Sequence, residues 1–273
     1  MLVHNKVFVS LLFVSVMSSC GIKATTKTDE NEKKELKNMN TQKVKIDVWS
    51  DVVCPFCYLG KNKLEQAIKK LNAQDKVEIE WHSFQLDSDF PMGQSVNSTE
   101  YLAQKKHIPT SQIKGIQDYL TMQGKTYGID FQFEKSLTFN TFHAHRLLQW
   151  SKTLNRSNEM KAALMYAYFT EGADLSKNDV LLNIVAAHAF DVSKAKEILA
   201  SDTYHDEVEK DLYEASKLGI NGVPFFLINE KEVISGAQED SIFESVISNA
   251  LKNLPSTNTS INGATCTPAA ECK

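Results

Sequence analysis

The chain has 273 residues, 42% of them hydrophobic and 23% charged, which supports a globular core of one large or two small domains and excludes coiled-coil, collagen-like and wholly disordered architectures. Thirty Lys and Arg against thirty-four Asp and Glu give a formal net charge of −4, so there is no broad basic field to gather phosphates and no nucleic-acid partner is expected. Five cysteines are too few for a disulfide-built scaffold of this length, and they fall in three places: Cys20, the close pair Cys54 and Cys57, and the terminal pair Cys266 and Cys272.

The first element is an apolar run from Val7 to Met17, interrupted only by Ser10 and Ser15. A membrane-spanning helix needs roughly 20 apolar residues, so residues 1–19 are expected to be a signal peptide and not a permanent anchor. The run stops at Met17-Ser18-Ser19-Cys20-Gly21, which resembles a bacterial lipoprotein box. That resemblance implies lipidation of Cys20 as the mature N-terminus and attachment in the bacterial cell envelope, on the outer side of the cytoplasmic membrane or in the outer membrane. An ordinary signal peptide with a chance cysteine is the alternative. Residues 20–43, rich in Lys, Thr, Glu and Asn, are expected to form a solvated tether.

The folded part begins with Val44 to Ser50, whose apolar–polar alternation predicts a strand. Cys54-Pro55-Phe56-Cys57 opens a predicted helix running to about Leu71, and Val77 to Phe84 returns to alternation. This strand, Cys-x-x-Cys, helix, strand order is how a thioredoxin fold begins. The matching pieces lie far downstream. A helix from His205 to Leu218 is closed by Gly219. Gly222-Val223-Pro224 then leads into a strand from Phe225 to Asn229, a turn at Glu230-Lys231, a strand from Glu232 to Ser235, and a helix from Ser241 to Leu251. The expected fold is therefore α/β, a thioredoxin fold split into residues 44–86 and 205–252 by a large all-helical insertion over residues 87–204. In that insertion Asn140, Ser176 and Ser193 are the expected N-caps, and Gly128 and Gly172 the expected helix stops. Residues 253–273 are expected to be a flexible tail carrying the Cys266–Cys272 pair.

A dithiol oxidoreductase needs an exposed thiol with a stabilised thiolate and a second thiol within reach. Cys54 at a helix start would face unpaired N–H groups and the positive end of the helix dipole. Cys57 lies one turn on, and Pro55 suits the first helical position. By itself the spacing could also be half of a zinc site; the strand before it, the helix after it and the distant Val223-Pro224 favour redox chemistry. His143 and His145, two apart on a helix, would point in different directions, so no shared metal site is expected there, and His145 reads as a structural hydrogen-bonding residue. Asp51, three residues before Cys54, reads as a loop organiser. The tripeptides at Asn97, Asn155 and Asn258 match glycosylation acceptors and read as chance.

The stretch from Ser50 to Gly60 (SDVVCPFCYLG) resembles the DsbA family of the FrnE type, related to 2-hydroxychromene-2-carboxylate isomerases and kappa-class glutathione transferases. The blocks Asn140–Arg146, Ala167–Gly172, Gly219–Pro224 and Ser235–Gln238 agree, and the resemblance covers about residues 44 to 252. It implies dithiol–disulfide exchange with protein thiols or disulfides and an unidentified redox partner. It also implies a cis Pro224 beside the Cys pair, with the backbone of Val223 offered to a substrate chain. The related isomerases and transferases carry Ser in place of the first Cys and use glutathione. Cys54 therefore argues against that branch while leaving glutathione open as a co-substrate, and no other cofactor and no metal is expected. Two alternatives stand beside an exported, lipid-anchored thiol-disulfide oxidoreductase: a glutathione-dependent isomerase or transferase of small molecules, and a zinc module using Cys54, Cys57, Cys266 and Cys272. A local Cys266–Cys272 disulfide, protecting the tail or relaying disulfides to the Cys54–Cys57 pair, is expected in an oxidising compartment.

Overall fold

A computed structural model of the chain describes residues 43–254. The expected leader, Cys20, Asn258 and the Cys266–Cys272 pair lie outside the described residues. The elements run, in chain order, β1 (Val44–Ser50), α1 (Pro55–Lys70), β2 (Val77–Ser83), β3 (Ser95–Asn97), α2 (Ser98–Lys106), α3 (Thr110–Thr126), β4 (Leu137–Phe139), α4 (Phe142–Thr153) and α5 (Ser157–Tyr166). They continue through α6 (Asn178–Ala187), α7 (Val192–Leu199), α8 (His205–Lys217), β5 (Phe225–Ile228) and β6 (Glu232–Ser235) to α9 (Asp240–Lys252).

Alternation along β1 places Val44, Ile46 and Val48 on one face and Asp47 and Trp49 on the other. The strand pairs in parallel with β2, which requires the crossover helix α1, and antiparallel with β5; β6 lies beyond β5, for a sheet order β2-β1-β5-β6. The apolar face is covered by Leu64, Ala67 and Ile68 of α1 and by Phe243, Ile247 and Ala250 of α9. The opposite face receives α8, whose Ala215 packs with Trp49 and Ile220. Gly60 lets α1 approach the start of β5: a Cβ there would stand 2.9 Å from Pro224 Cγ and 3.0 Å from Phe226 Cζ.

The insertion is helical, as expected, with one addition. Ser95–Asn97 and Leu137–Phe139 pair as a two-stranded antiparallel ribbon, made of strands too short for alternation to be read. A second core joins this insertion to the start of α1. Tyr58 stacks on Phe169 with ring centroids 5.7 Å apart, and Phe131 meets both Tyr58 and Phe169 edge-on. Phe169 lies in a π-helical turn, Ala167–Glu171, that prolongs α5 and is ended by Gly172 at φ 76°. The Arg146 guanidinium, on α4, donates to the carbonyls of Ile198, Ser201 and Thr203, tying α4 to the α7–α8 connection.

Gly128 and Gly219 adopt left-handed backbone just beyond their helices, as the sequence predicts. The caps need correction. Asn140 stands one residue before the N-cap of α4 yet still accepts from Phe142 N at 3.0 Å. Ser193 lies inside α7, whose cap is Asp191, accepting from Lys194 N at 3.0 Å. Ser176 precedes the N-cap of α6 and its buried Oγ has no partner, because Asp174 Oδ1 takes the Ser176 N–H and organises that turn instead. A carboxylate competes well with a serine hydroxyl for these N–H groups.

Candidate active site

Cys54 is the N-cap of α1, with extended backbone at φ −88° and ψ 112°, and Pro55 begins the helix. The Cys54 carbonyl accepts from the N–H of Cys57 at 3.0 Å and of Tyr58 at 3.2 Å, so the first turn folds the two thiols toward each other. Both are free thiols. Across from them the Val223–Pro224 peptide bond is cis, as the resemblance implied. The Cys54 thiol lies 3.5 Å from the Val223 carbonyl oxygen, in donating geometry. The structure thus brings together Cys54, Cys57, Val223 and Pro224, although Cys54 and Val223 are 169 positions apart in the chain.

Two expectations about the thiols are corrected. Cys54 is 3% exposed and Cys57 1%, so neither presents an open sulfur. The helix start sits under the Val223 carbonyl and against the insertion, a tertiary arrangement that helix position alone could not reveal. The charge is also distributed differently. The hydrogen bond to Cys57 and burial hold the Cys54 thiol well above the usual range. Burial pushes Cys57 up as well, but the Cys54 hydrogen bond, the Lys161 charge and the Ser50 hydroxyl outweigh it and lower the thiol. The contact between the two sulfurs favours ionisation of one thiol at the expense of the other.

The loop between β1 and α1 is held by Asp51, as expected of a loop organiser. Its Oδ2 accepts from Leu86 N at 2.9 Å, and its Oδ1 lies 3.2 Å from His145 Nε2. Burial disfavours the Asp51 carboxylate, but His145, the Leu86 N–H and Lys161 together hold its pKa below the ordinary value, so it is ionised. His145 is fully buried, and among the described residues its Nδ1 has no partner. His143 bonds Asn178 Oδ1 at 2.9 Å, so the two histidines serve different neighbours, as their spacing predicts. Beside the loop opens a cavity of about 380 Å³ lined by Val53, Pro55, Leu86, Tyr101, Leu102 and Phe139 among others. Phe56 and Leu86, 39% and 48% exposed, add apolar surface beside the Cys pair and the cavity.

Sequence reading passed over Lys161. It sits on α5 at 1% exposure, shares a helix face with the buried Leu164 and Met165, and donates to Ser50 O at 3.1 Å. The available signal was a cation interrupting the apolar stripe Met160, Leu164, Met165.

A family model described as a DSBA-like thioredoxin domain matches residues 45–248. The uncharacterized protein YwbO of Bacillus subtilis is 31% identical over 214 residues, covering 77% of this chain and 98% of that protein. The crystal structure of a probable DsbA oxidoreductase from Streptomyces coelicolor superposes with a TM-score of 0.74 at 28% identity, covering 77% of this chain and 91% of that one. A 2-hydroxychromene-2-carboxylate isomerase shares the fold, with a TM-score of 0.59 at 16% identity over 75% of this chain and 95% of its own. With a Cys-x-x-Cys helix start, a cis Val-Pro opposite it and a helical insertion closing over both, the chain belongs to the DSBA-like thioredoxin domain family, the DsbA-like group of thiol-disulfide oxidoreductases.

Proposed function

We propose that this chain exchanges disulfides with protein substrates. Cys54 forms the mixed disulfide, Cys57 resolves it, and the Val223-Pro224 backbone receives the substrate chain. The observation that carries this reading is the approach of the Cys54 thiol to within 3.5 Å of the Val223 carbonyl, next to an apolar cavity. A peptide lying along Val223 would present its own sulfur to Cys54 while its side chains meet Leu86, Leu102 and Phe139. The apolar surface of Phe56 and Leu86 suits unfolded polypeptide. In this reading the redox-active pair itself is the only cofactor and glutathione is a co-substrate at most.

The cell-envelope location, through lipidation of Cys20, rests on the Met17–Gly21 box and the polar segment after it. The Cys266–Cys272 pair is proposed to close locally, either protecting the tail or relaying disulfides to the Cys54–Cys57 pair. Mass spectrometry of the mature protein tests the first: absence of peptides from residues 1–19 and a diacylglyceryl-type mass on Cys20 are expected.

The exchange itself is tested by insulin reduction and by oxidation of a dithiol peptide. Cys54→Ser is expected to abolish both. Cys57→Ser is expected to accumulate mixed disulfides, because the resolving step is gone. Equal turnover by the unmodified chain and Cys54→Ser would overturn the assignment.

A further inference from the structure

Val53 and Pro55, the chain neighbours of Cys54, both line the cavity of about 380 Å³, so it opens beside the reacting residue. That volume is at the small end for ligand sites and suits one large side chain, not several. Burial grades along it. Leu86, Lys105 and Lys106 are exposed and form the mouth, Val53, Pro55 and Leu102 are half-buried walls, and Asp51, Ser98, Phe139 and Tyr168 are buried and form the floor. The floor is not apolar. Ser98 Oγ and Thr138 Oγ1, which both line the cavity, stand 2.9 Å apart. One hydrogen bond between two hydroxyls uses one of their two protons, and among the described residues neither forms another. Ser98 N donates to Ser136 O at 3.0 Å, and the Ser136 hydroxyl just behind this floor is itself buried with no partner among the described residues.

Charge restricts what can enter from both ends. On the floor, both oxygens of the ionised Asp51 are already engaged, one by His145 and one by Leu86 N, so a substrate carboxylate would be repelled there. At the mouth, Asp87 is held at 2.5 Å by both the Tyr101 hydroxyl and Lys105, while Lys106 has no ion pair among the described residues. The mouth therefore keeps a net positive charge that opposes a cationic side chain. What fits is neutral, apolar along its length and polar at its tip. Phenylalanine or leucine would cover the floor hydroxyls and offer them nothing, and tryptophan carries its N–H on its flank and has no acceptor.

Resting on the disulfide-exchange reading above, we propose that this cavity is a specificity subsite for a tyrosine one or two positions from the reacting cysteine of the substrate polypeptide. The ring lies between Val53, Pro55 and Leu102, and the phenolic hydroxyl joins the Ser98–Thr138 pair, accepting the proton that pair has left over. Seating the tyrosine fixes the neighbouring substrate sulfur opposite Cys54, so the preference is read in the rate of the first exchange step.

The test uses the full chain, reduced, with short peptides whose single cysteine is disulfide-linked to a chromophoric thiol. Tyr, Phe, Leu, Lys or Glu is placed in turn at each of the two positions on either side of the cysteine, and the second-order rate of chromophore release is measured. At its best position the Tyr peptide is expected to react roughly five- to tenfold faster than the Phe peptide, the yield of one added hydrogen bond, and the Lys and Glu peptides more slowly than Phe. A Tyr peptide no faster than Phe at all four positions overturns the proposal without any variant having to fold, and so does a Lys or Glu peptide faster than Tyr. In Ser98→Ala/Thr138→Val the Tyr-to-Phe ratio is expected to fall to within about twofold of one; because both peptides are read on the same protein, a general loss of activity cancels. An undiminished ratio in the folded variant overturns the assignment of the floor. If no peptide reacts, the exchange reading fails, and calorimetric titration with Ser-for-Cys peptides decides the subsite: tighter binding of Tyr than of Phe upholds it and equal binding overturns it. Equal reaction of Tyr and Phe peptides leaves exchange standing and removes the subsite.

Discussion

One buried acid–histidine cluster lies on the α8 face of the sheet and a second in the loop that follows β1, and the two are finished differently. On the α8 face, His82 lies between two carboxylates, 2.9 Å from Asp47 Oδ1 and 2.9 Å from Asp211 Oδ1, and stacks on Trp49 with centroids 4.4 Å apart. Asp211 also accepts from Ser83 N at 2.6 Å and from Gln149 Nε2, and Lys45 reaches Asp47 at 3.0 Å. None of its fully buried polar atoms is left without a partner. In the loop after β1, Asp51 meets His145, but among the described residues His145 Nδ1 and Ser50 Oγ have no partner and Lys161 has one hydrogen bond. A saturated buried network locks geometry. An unsaturated one leaves charge and proton-holding capacity free to follow the state of the neighbouring sulfurs. The first cluster is read as structure and the second as chemistry.

The largest expected effect follows from breaking the saturated cluster. Asp211→Ala would strand His82, Ser83 N and Gln149, and is expected to cost about 3–5 kcal/mol in denaturant unfolding while leaving the Cys57 titration of the folded protein unchanged. A loss under about 1 kcal/mol would mean that the α8 cluster is not the lock described here.

A smaller effect is expected at the approach between α1 and Pro224. Gly60→Ala would push against Pro224 and Phe226, costing about 1–3 kcal/mol and slowing exchange by displacing Val223 from Cys54. Full stability with full turnover would show that the contact has slack.

The smallest effect is in the pH profile of stability. Burial disfavours the Asp47 and Asp211 carboxylates, but their hydrogen bonds and nearby cations lower both. Their contribution is present above about pH 4 and is lost as pH falls through the folded values. Burial likewise disfavours charged His82, but Asp211 and Asp47 raise it. Its contribution is full below about pH 6.5 and is lost as pH rises through the folded value. Melting temperature is expected to decline on both sides of that window, and His82→Gln is expected to flatten the alkaline side relative to the unmodified chain. An unaltered alkaline side in His82→Gln would mean that His82 is not charged in the folded state.

Local chemistry made much of this legible in the residues alone. Alternation marks β1, β2, β5 and β6 to within a residue or so of their ends, and glycines at 128, 172 and 219 mark stops because only a left-handed backbone closes those turns. Cys54, Cys57 and Pro55 are legible as a reactive helix start because the relevant spacing is one helical turn. Tertiary structure alone decided the rest. The Asp51–His145 pair spans 94 positions, the Lys161–Ser50 bond 111 and the His82–Asp211 pair 129. Nothing in the periodicity of a helix or strand relates residues so far apart. Whether a buried polar group is satisfied, and hence whether it stabilises or reacts, depends on which distant element packs against it. Burial of Cys54 has the same origin: helix position can offer N–H groups to a thiol, but the shielding by Val223 and the insertion arises only when both halves of the sheet and the helices between them close around it.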